Sequence, residues 1–302
     1  MKNLLLLLAL MGQLVFAQKI NVTSTQLLQG TEKGGYYHPI FSPQDSYLLT
    51  TAENYAGLKQ HSLTTKEVKT LTSDPGAGYD VSVSTDENAI LYKKTEMRNQ
   101  LRYTSLQQYN LQDKTTTQVL AATREKVTPM FAKNKLAYVK GTTLLRAESA
   151  ETEQIRPFIN IEDQKMVLHT GAKKTVLTPN GANASYFWAS VSPDQKHIVY
   201  TVAANGTFVC NIDGSNVVSL GKLNAPKWLN NSWVVGMHDQ DDGDRVISSS
   251  VVAKTINGKK TQTLSNAKTT PIAMYPAASA DGKSVAYNTD NGVIYVININ
   301  IK

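Results

Sequence analysis

The sequence predicts an all-β fold, a six-bladed β-propeller of four-stranded antiparallel blades, and three observations predict it. A strand–turn–strand unit recurs along the chain, at the period expected of repeat architectures. Turn signals built on Pro, Asn-Gly and Asp-Gly separate short runs of alternating apolar and polar residues. No stretch of useful length carries the period of an amphipathic helix.

The unit is clearest at residues 185–220, SYFWASVSPDQKHIVYTVAANGTFVCNIDGSNVVSL. The alternation from Trp188 to Ser192 suits a half-buried strand, and Ser192-Pro193-Asp194-Gln195 then suits a tight turn, because proline presets φ at its second position. A second strand at 197–201 leads to Asn205-Gly206, a hairpin signal. A third strand, an Asp213-Gly214 turn and a fourth strand complete one blade.

The same unit begins near residues 37, 79, 127, 186, 225 and 275. Its first copy carries Ser42-Pro43-Gln44-Asp45 and its last carries Ala280-Asp281-Gly282-Lys283. The third copy degrades after Val139, so residues 146–156 read as an insertion and 165–177 as its outer strands. The last copy ends one strand short. An unclaimed strand at 24–28 is therefore expected to complete it and close the ring, since an open ring would leave two bare edges.

Before the propeller, residues 1–17 read as a secretory signal peptide, with Lys2, an apolar run from Leu4, and Val15 and Ala17 as the small residues before the cut. The apolar run is shorter than the ~20 residues of a membrane-spanning helix. The mature chain, 18–302, is expected to be a single propeller without a transmembrane segment, periplasmic or secreted. The formal charge of +7 comes mostly from scattered lysines with no arginine-aromatic stripe, which argues against nucleic acid. Cys210, the one cysteine, can form no internal disulfide.

The run (aromatic or Pro)-x-(aromatic)-Ser-Pro-Asp-Gly followed by an apolar strand resembles the propeller repeat of the TolB type. Residues 192–195, 42–45 and 280–283 carry the resemblance, which extends over nearly the whole mature chain. It implies a six-bladed envelope propeller acting as a binding platform. The α/β domain that precedes the propeller in TolB is absent, so a Tol role is not implied. Signal and composition also resemble a Bacteroidetes-type secreted protein.

Inner strands of a propeller start at one mouth of its central channel, so the residues at the blade starts are candidates for a site. These are Tyr37, His38, Tyr79, Asp80, Tyr186, Trp188, Lys227 and Tyr275. Stacking faces with few polar anchors suit a protein, peptide or glycan ligand of the cell envelope; the same aromatics also suit simple packing. Asp239, Asp241, Asp242 and Asp244 resemble the opening of a calcium loop and equally a solvated hairpin tip. Calcium is the one cofactor considered. The enzyme alternative is a metal-dependent, carbohydrate-active propeller like the oligogalacturonate lyases, although the five histidines show no ligand spacing and no Gly-x-Ser-x-Gly elbow appears.

Overall fold

The computed structural model describes residues 19–132, 134–146, 156–270 and 272–302. The expected signal peptide lies outside the described residues. The described chain forms seven antiparallel sheets arranged as the blades of a propeller, which corrects the predicted six.

The seven inner strands are Tyr37–Phe41, Ser82–Val83, Val127–Ala132, Phe158–Glu162, Tyr186–Val191, Asn224–Trp228 and Ala273–Ala278. The extra blade is cut from the stretch read as one degraded copy. Residues 127–146 and 158–177 form two separate sheets of three described strands each, so two blades lie in the stretch read as one. Phe158–Glu162, left unassigned between the expected insertion and the expected outer strands, is the inner strand of the fourth. Its hairpin turns on Asp163 and Gln164, both at positive φ, without a Ser-Pro-Asp signal.

Ring closure follows the expectation. Ile20–Leu27 pairs antiparallel with Ile294–Ile301, becoming the outermost strand of the seventh blade. Ile20 is fully buried there, and its backbone N–H and C=O are both bonded by the Gln262 side chain of blade six.

Middle strands such as Tyr47–Thr51 are buried along their whole length, because neighbouring blades cover both faces. Each core therefore lies between blades. Tyr47 and Leu49 of the first blade meet Ile90 and Tyr92 of the second. Trp233 and Val251 of the sixth meet Val285 and Tyr287 of the seventh. Among the described residues, the cluster at the seam between blades three and four has Ala132 and Ala137 fully buried.

The serines of the turn motif explain why the unit recurs. Ser42 Oγ accepts the N–H groups of Ser46 and Tyr47 at 3.0 and 3.1 Å, and Ser192 Oγ those of Lys196 and His197 at 3.2 and 2.9 Å. Ser279 does the same for Lys283 and Ser284. Each serine is buried and supplies the acceptor that its turn's donors need. Turns also grip one another around the ring: Asp45 accepts from Ala280 and Asp281, and Asn231 from Asp194.

Candidate functional site

Four of the inner strands carry a register shift near their start, between Tyr37 and Ile40, Phe187 and Ser190, Asn224 and Lys227, and Met274 and Ala277. A residue inside each shift adopts left-handed backbone: His38 (φ 50), Trp188 (φ 49), Ala225 (φ 48) and Tyr275 (φ 49). Asp80 (φ 55), just before Ser82–Val83, occupies the matching place in blade two. Left-handed φ costs a non-glycine residue roughly 1–2 kcal/mol, so four repeats of one strained bulge need a reason. A bulge re-aims a side chain, and bulges concentrate beside functional sites. The inner strands of blades two, three and four pair without a shift, so the bulged layer spans four blades, with Asp80 adding a left-handed residue just before the strand of blade two.

The bulges bring several of the predicted residues together. The His38 ring stacks on Tyr55 at 4.3 Å between centroids and meets Tyr275 at 4.3 Å. Tyr55 meets Tyr79 edge-on at 5.2 Å, extending the aromatic wall into blade two. Burial, then the nearby Lys227 charge, lowers the His38 pKa to about 4, so its imidazole is neutral near pH 7. Tyr79 and Trp188 keep 46% and 43% of their surface exposed, which is unusual for large apolar rings and leaves faces free for a ligand.

Behind the rings lies positive charge. The Lys93 ammonium, almost fully buried, sits 2.8 Å from Asp80 Oδ2 and 4.1 Å from the Tyr79 ring centroid. Lys126 donates to Asn160 Oδ1 and to the Ile161 carbonyl, each at 2.9 Å. Lys227 is reached by water and makes no hydrogen bond or ion pair among the described residues. Yet desolvation by the protein around it lowers its pKa, only partly offset by Asp80. Burial likewise lowers the pKa values of Lys93 and Lys126, with Asp80 opposing in both.

Two predicted residues stand apart. Tyr186 is 2% exposed and belongs to the core between blades four and five, where its hydroxyl donates to the Gly181 carbonyl and accepts from Asn180 N–H. Tyr37 packs over the seventh-blade turn, where a Cβ on Gly292 would lie 2.8 Å from its ring. Tyr55, Lys93 and Lys126 were missed. Lys93 did leave a signal, a charged residue ending the otherwise apolar run Ala89-Ile90-Leu91-Tyr92. Lys126 sits one residue before the expected start of its blade. Tyr55 lies in a loop between strands and left none.

The acidic turn does not form a metal site. Asp239 is buried and accepts from Asn224 Nδ2, Asp241 accepts the Gly243 N–H, and Asp242 accepts those of Asp244 and Arg245. Lys222 lies 3.6 Å from Asp239 and 4.0 Å from Asp241. No group of three or more His, Cys, Asp or Glu that could hold a metal ion is found among the described residues. Two clefts, of about 600 and 230 Å³, flank the first blade away from the channel; the larger mixes Glu67, Glu87, Lys69 and Lys114 and lacks converging buried groups.

Together these relations define a seven-bladed β-propeller with an aromatic, lysine-backed channel mouth. No protein-family model matches the chain, and no curated protein matches it. Among solved structures it is similar to a putative TolB from Agrobacterium tumefaciens, at TM-score 0.56 and 15% identity over 94% of this chain and 98% of the other. It is also similar to a chain of the mitotic checkpoint complex, at TM-score 0.60 and 11% identity over 93% of each. A manganese-bound oligogalacturonate lyase aligns at TM-score 0.48 and 13% identity over 88% of this chain and 78% of the other. At such identities the first two likenesses speak for the propeller fold alone, and the third is too loose to argue from.

Proposed function

We propose that this chain is an exported, non-enzymatic binding propeller that engages an envelope ligand at the bulged mouth of its channel. One observation carries the reading: four blades hold the same costly left-handed bulge, and two of its side chains, His38 and Tyr275, meet in one aromatic wall with Tyr55. Packing alone would be served by ordinary strands, as blades three and four demonstrate.

Trp188 is the most exposed of the three tryptophans and serves as a reporter, with Trp233 buried and Trp228 partly buried. Peptide and glycan arrays would supply candidate ligands, followed by tryptophan fluorescence titration and thermal melts. A genuine mouth ligand should change the fluorescence of the wild type and bind at least ten-fold more weakly to Tyr275→Ala or Trp188→Ala, roughly the worth of one lost aromatic contact. Melting should stay near that of the wild type. Ligands indifferent to all of these substitutions, or variants that unfold together with losing the ligand, would reduce the aromatic wall to packing. Export is tested by sequencing the N-terminus of protein recovered from cells, with residue 18 expected first.

A further inference from the structure

Blades two and six rise above the mouth. At the mouth end the middle strand of blade one is last paired at Thr51, opposite Tyr37, that of blade five at Val202, opposite Tyr186, and that of blade seven at Thr289, opposite Ala273. Blades three and four stop at the same level, at Lys140 and Thr170. In blade six Asn224 pairs with Met237, yet the hairpin of Trp233–Asp241 and Val246–Thr255 runs on through residues 238–241, roughly 14 Å farther. In blade two Lys93 already reaches Asp80 at the mouth, and the hairpin of Ala89–Arg98 and Leu101–Asn110 continues through residues 94–98, roughly 17 Å.

The two tips carry opposite charges beside exposed apolar groups. On blade two the exposed Arg102 makes no hydrogen bond or ion pair among the described residues, whereas Lys94 has Asp74 and Arg98 has Glu96. On blade six the exposed Asp244 carboxylate also has no such partner, whereas Asp239 and Asp241 lie near Lys222, and Asp242 near Arg245. Met97, 64% exposed, stands opposite Arg102, and Ile247, 51% exposed, follows Asp244 closely. Blade six packs on seven, seven on one and one on two, so the tips stand one on each side of the seam between blades seven and one.

We propose that these hairpins dock a second copy of the chain, mouth to mouth, in a two-fold dimer where Arg102 of each copy meets Asp244 of the partner subunit. A two-fold axis laid along the radius through the seam between blades seven and one exchanges the places of blades two and six. The basic tip of each copy then stands opposite the acidic tip of the other, at two equivalent contacts. That is the self-complementarity an isologous interface requires. An unrelated partner would have to match both signs at this spacing, whereas the chain matches them by symmetry. Hairpin tips bury little area, under the ~1,200 Å² of a standard interface, so the dimer is weak and charge does much of the steering. The mouths face each other across a gap that the hairpins hold open, so the dimer stands whether or not the mouth takes a ligand.

The test is sedimentation velocity from about 1 to about 500 μM protein, in about 50 mM salt so that screening is modest. The wild type should show a concentration-dependent equilibrium between monomer and dimer, with a dissociation constant that rises about ten-fold or more in about 500 mM salt. Arg102→Glu and Asp244→Arg should each weaken self-association by about ten-fold or more, because either one sets like charges together at both contacts. An equimolar mixture of the two variants should return to the wild-type dissociation constant, because both contacts of a mixed dimer again join opposite charges. Both residues are exposed near the hairpin tips, and thermal melts verify that the variants fold. A wild type that stays monomeric over the whole range would overturn the proposal. So would a dimer indifferent to both substitutions, or a mixture no tighter than the separate variants.

Discussion

His38 of the first blade and Tyr275 of the seventh hold their rings 4.3 Å apart across the seam where the propeller closes. The same two blades are joined by Asp45, which accepts from Ala280 and Asp281, and by an apolar seam of Leu48, Leu28, Ala286 and Ile294. The contact between His38 and Tyr275 in the aromatic wall is thus made only when the ring is shut.

Acid should loosen this arrangement. The His38 pKa is lowered to about 4, below the 6.5 of an unfolded histidine, so between those values the unfolded chain binds the extra proton and stability falls with pH. Substituting His38→Phe keeps a ring and removes the titration. The drop in melting temperature between pH 6.5 and 4 should be smaller in this variant. It should not vanish, because His61, buried and lowered to about 4 by desolvation, contributes in the same direction. An unchanged acid profile would show that His38 is not the desolvated group described.

Lys227 gives the opposite test at alkaline pH. Its folded pKa is depressed, so the charged form burdens the folded state, and that burden lifts as pH climbs from the folded value towards 10.5. Lys227→Met lacks the burden altogether. The variant should melt higher than the wild type at pH 7, and the gap should narrow by pH 9.5. Above that range the buried tyrosines, whose pKa values are raised, begin to destabilise both proteins equally. A wild type that melts higher at pH 7 would mean that Lys227 has a partner in solution.

Asp80 and Lys93 form a pair in which the two partners are not equivalent. The lysine side chain is 8% exposed and the aspartate 40%. Asp80→Asn strands a buried ammonium and should cost about 2 kcal/mol, below the usual loss for breaking a fully buried pair because Asp80 is half in water. Lys93→Met should cost less, and the double variant should recover most of the single loss. Additive losses in a denaturant-melt cycle would show that the two residues do not act as a pair.

How much of this was legible in the sequence depended on the signal each element carries. Blades with a turn serine were found, because that residue has a job that proline and aspartate neighbours advertise: Ser42, Ser192 and Ser279 each satisfy two backbone donors. The fourth blade was missed because Asp163-Gln164 turns its hairpin without that signature. His38, Trp188 and Tyr275 could be placed at the mouth from their positions at the blade starts. The bulges that aim them could not, since positive φ at a non-glycine residue leaves no mark in composition. The same blindness promoted Tyr186, which differs from Trp188 only by where the bulge falls.

The fourth position of the turn motif explains a consensus that this chain only partly follows. Asp45 (φ 57), Glu87 (φ 57), Gln195 (φ 62) and Gly282 (φ 69) all stand in left-handed backbone there. Only Gly282 does so freely. Gln195 is exposed and its side chain makes no hydrogen bond among the described residues. Gln195→Gly should therefore stabilise the protein by about 1 kcal/mol, with the melting temperature rising about 2 °C. No rise, or a fall, would show that chain entropy outweighs backbone strain at this turn.

The ring should also have a preferred place to open. Among the described residues, the fully buried core between blades three and four is Ala132 and Ala137, supported by partly buried Met130, Leu144 and Phe158. Other seams bury whole rings, such as Tyr186 and Tyr200 between blades four and five. Less apolar area removed from water means a lower free energy of local opening. Blades three and four also lack the bulges, so opening there leaves the aromatic wall of His38, Tyr55 and Tyr275 in place. Native-state hydrogen exchange should find the amides of Val127–Ala132 and Phe158–Glu162 exchanging well before those of His197–Val202. Uniform protection around the ring would mean that the thin seam is compensated by its backbone pairing, and that the propeller opens only as a whole.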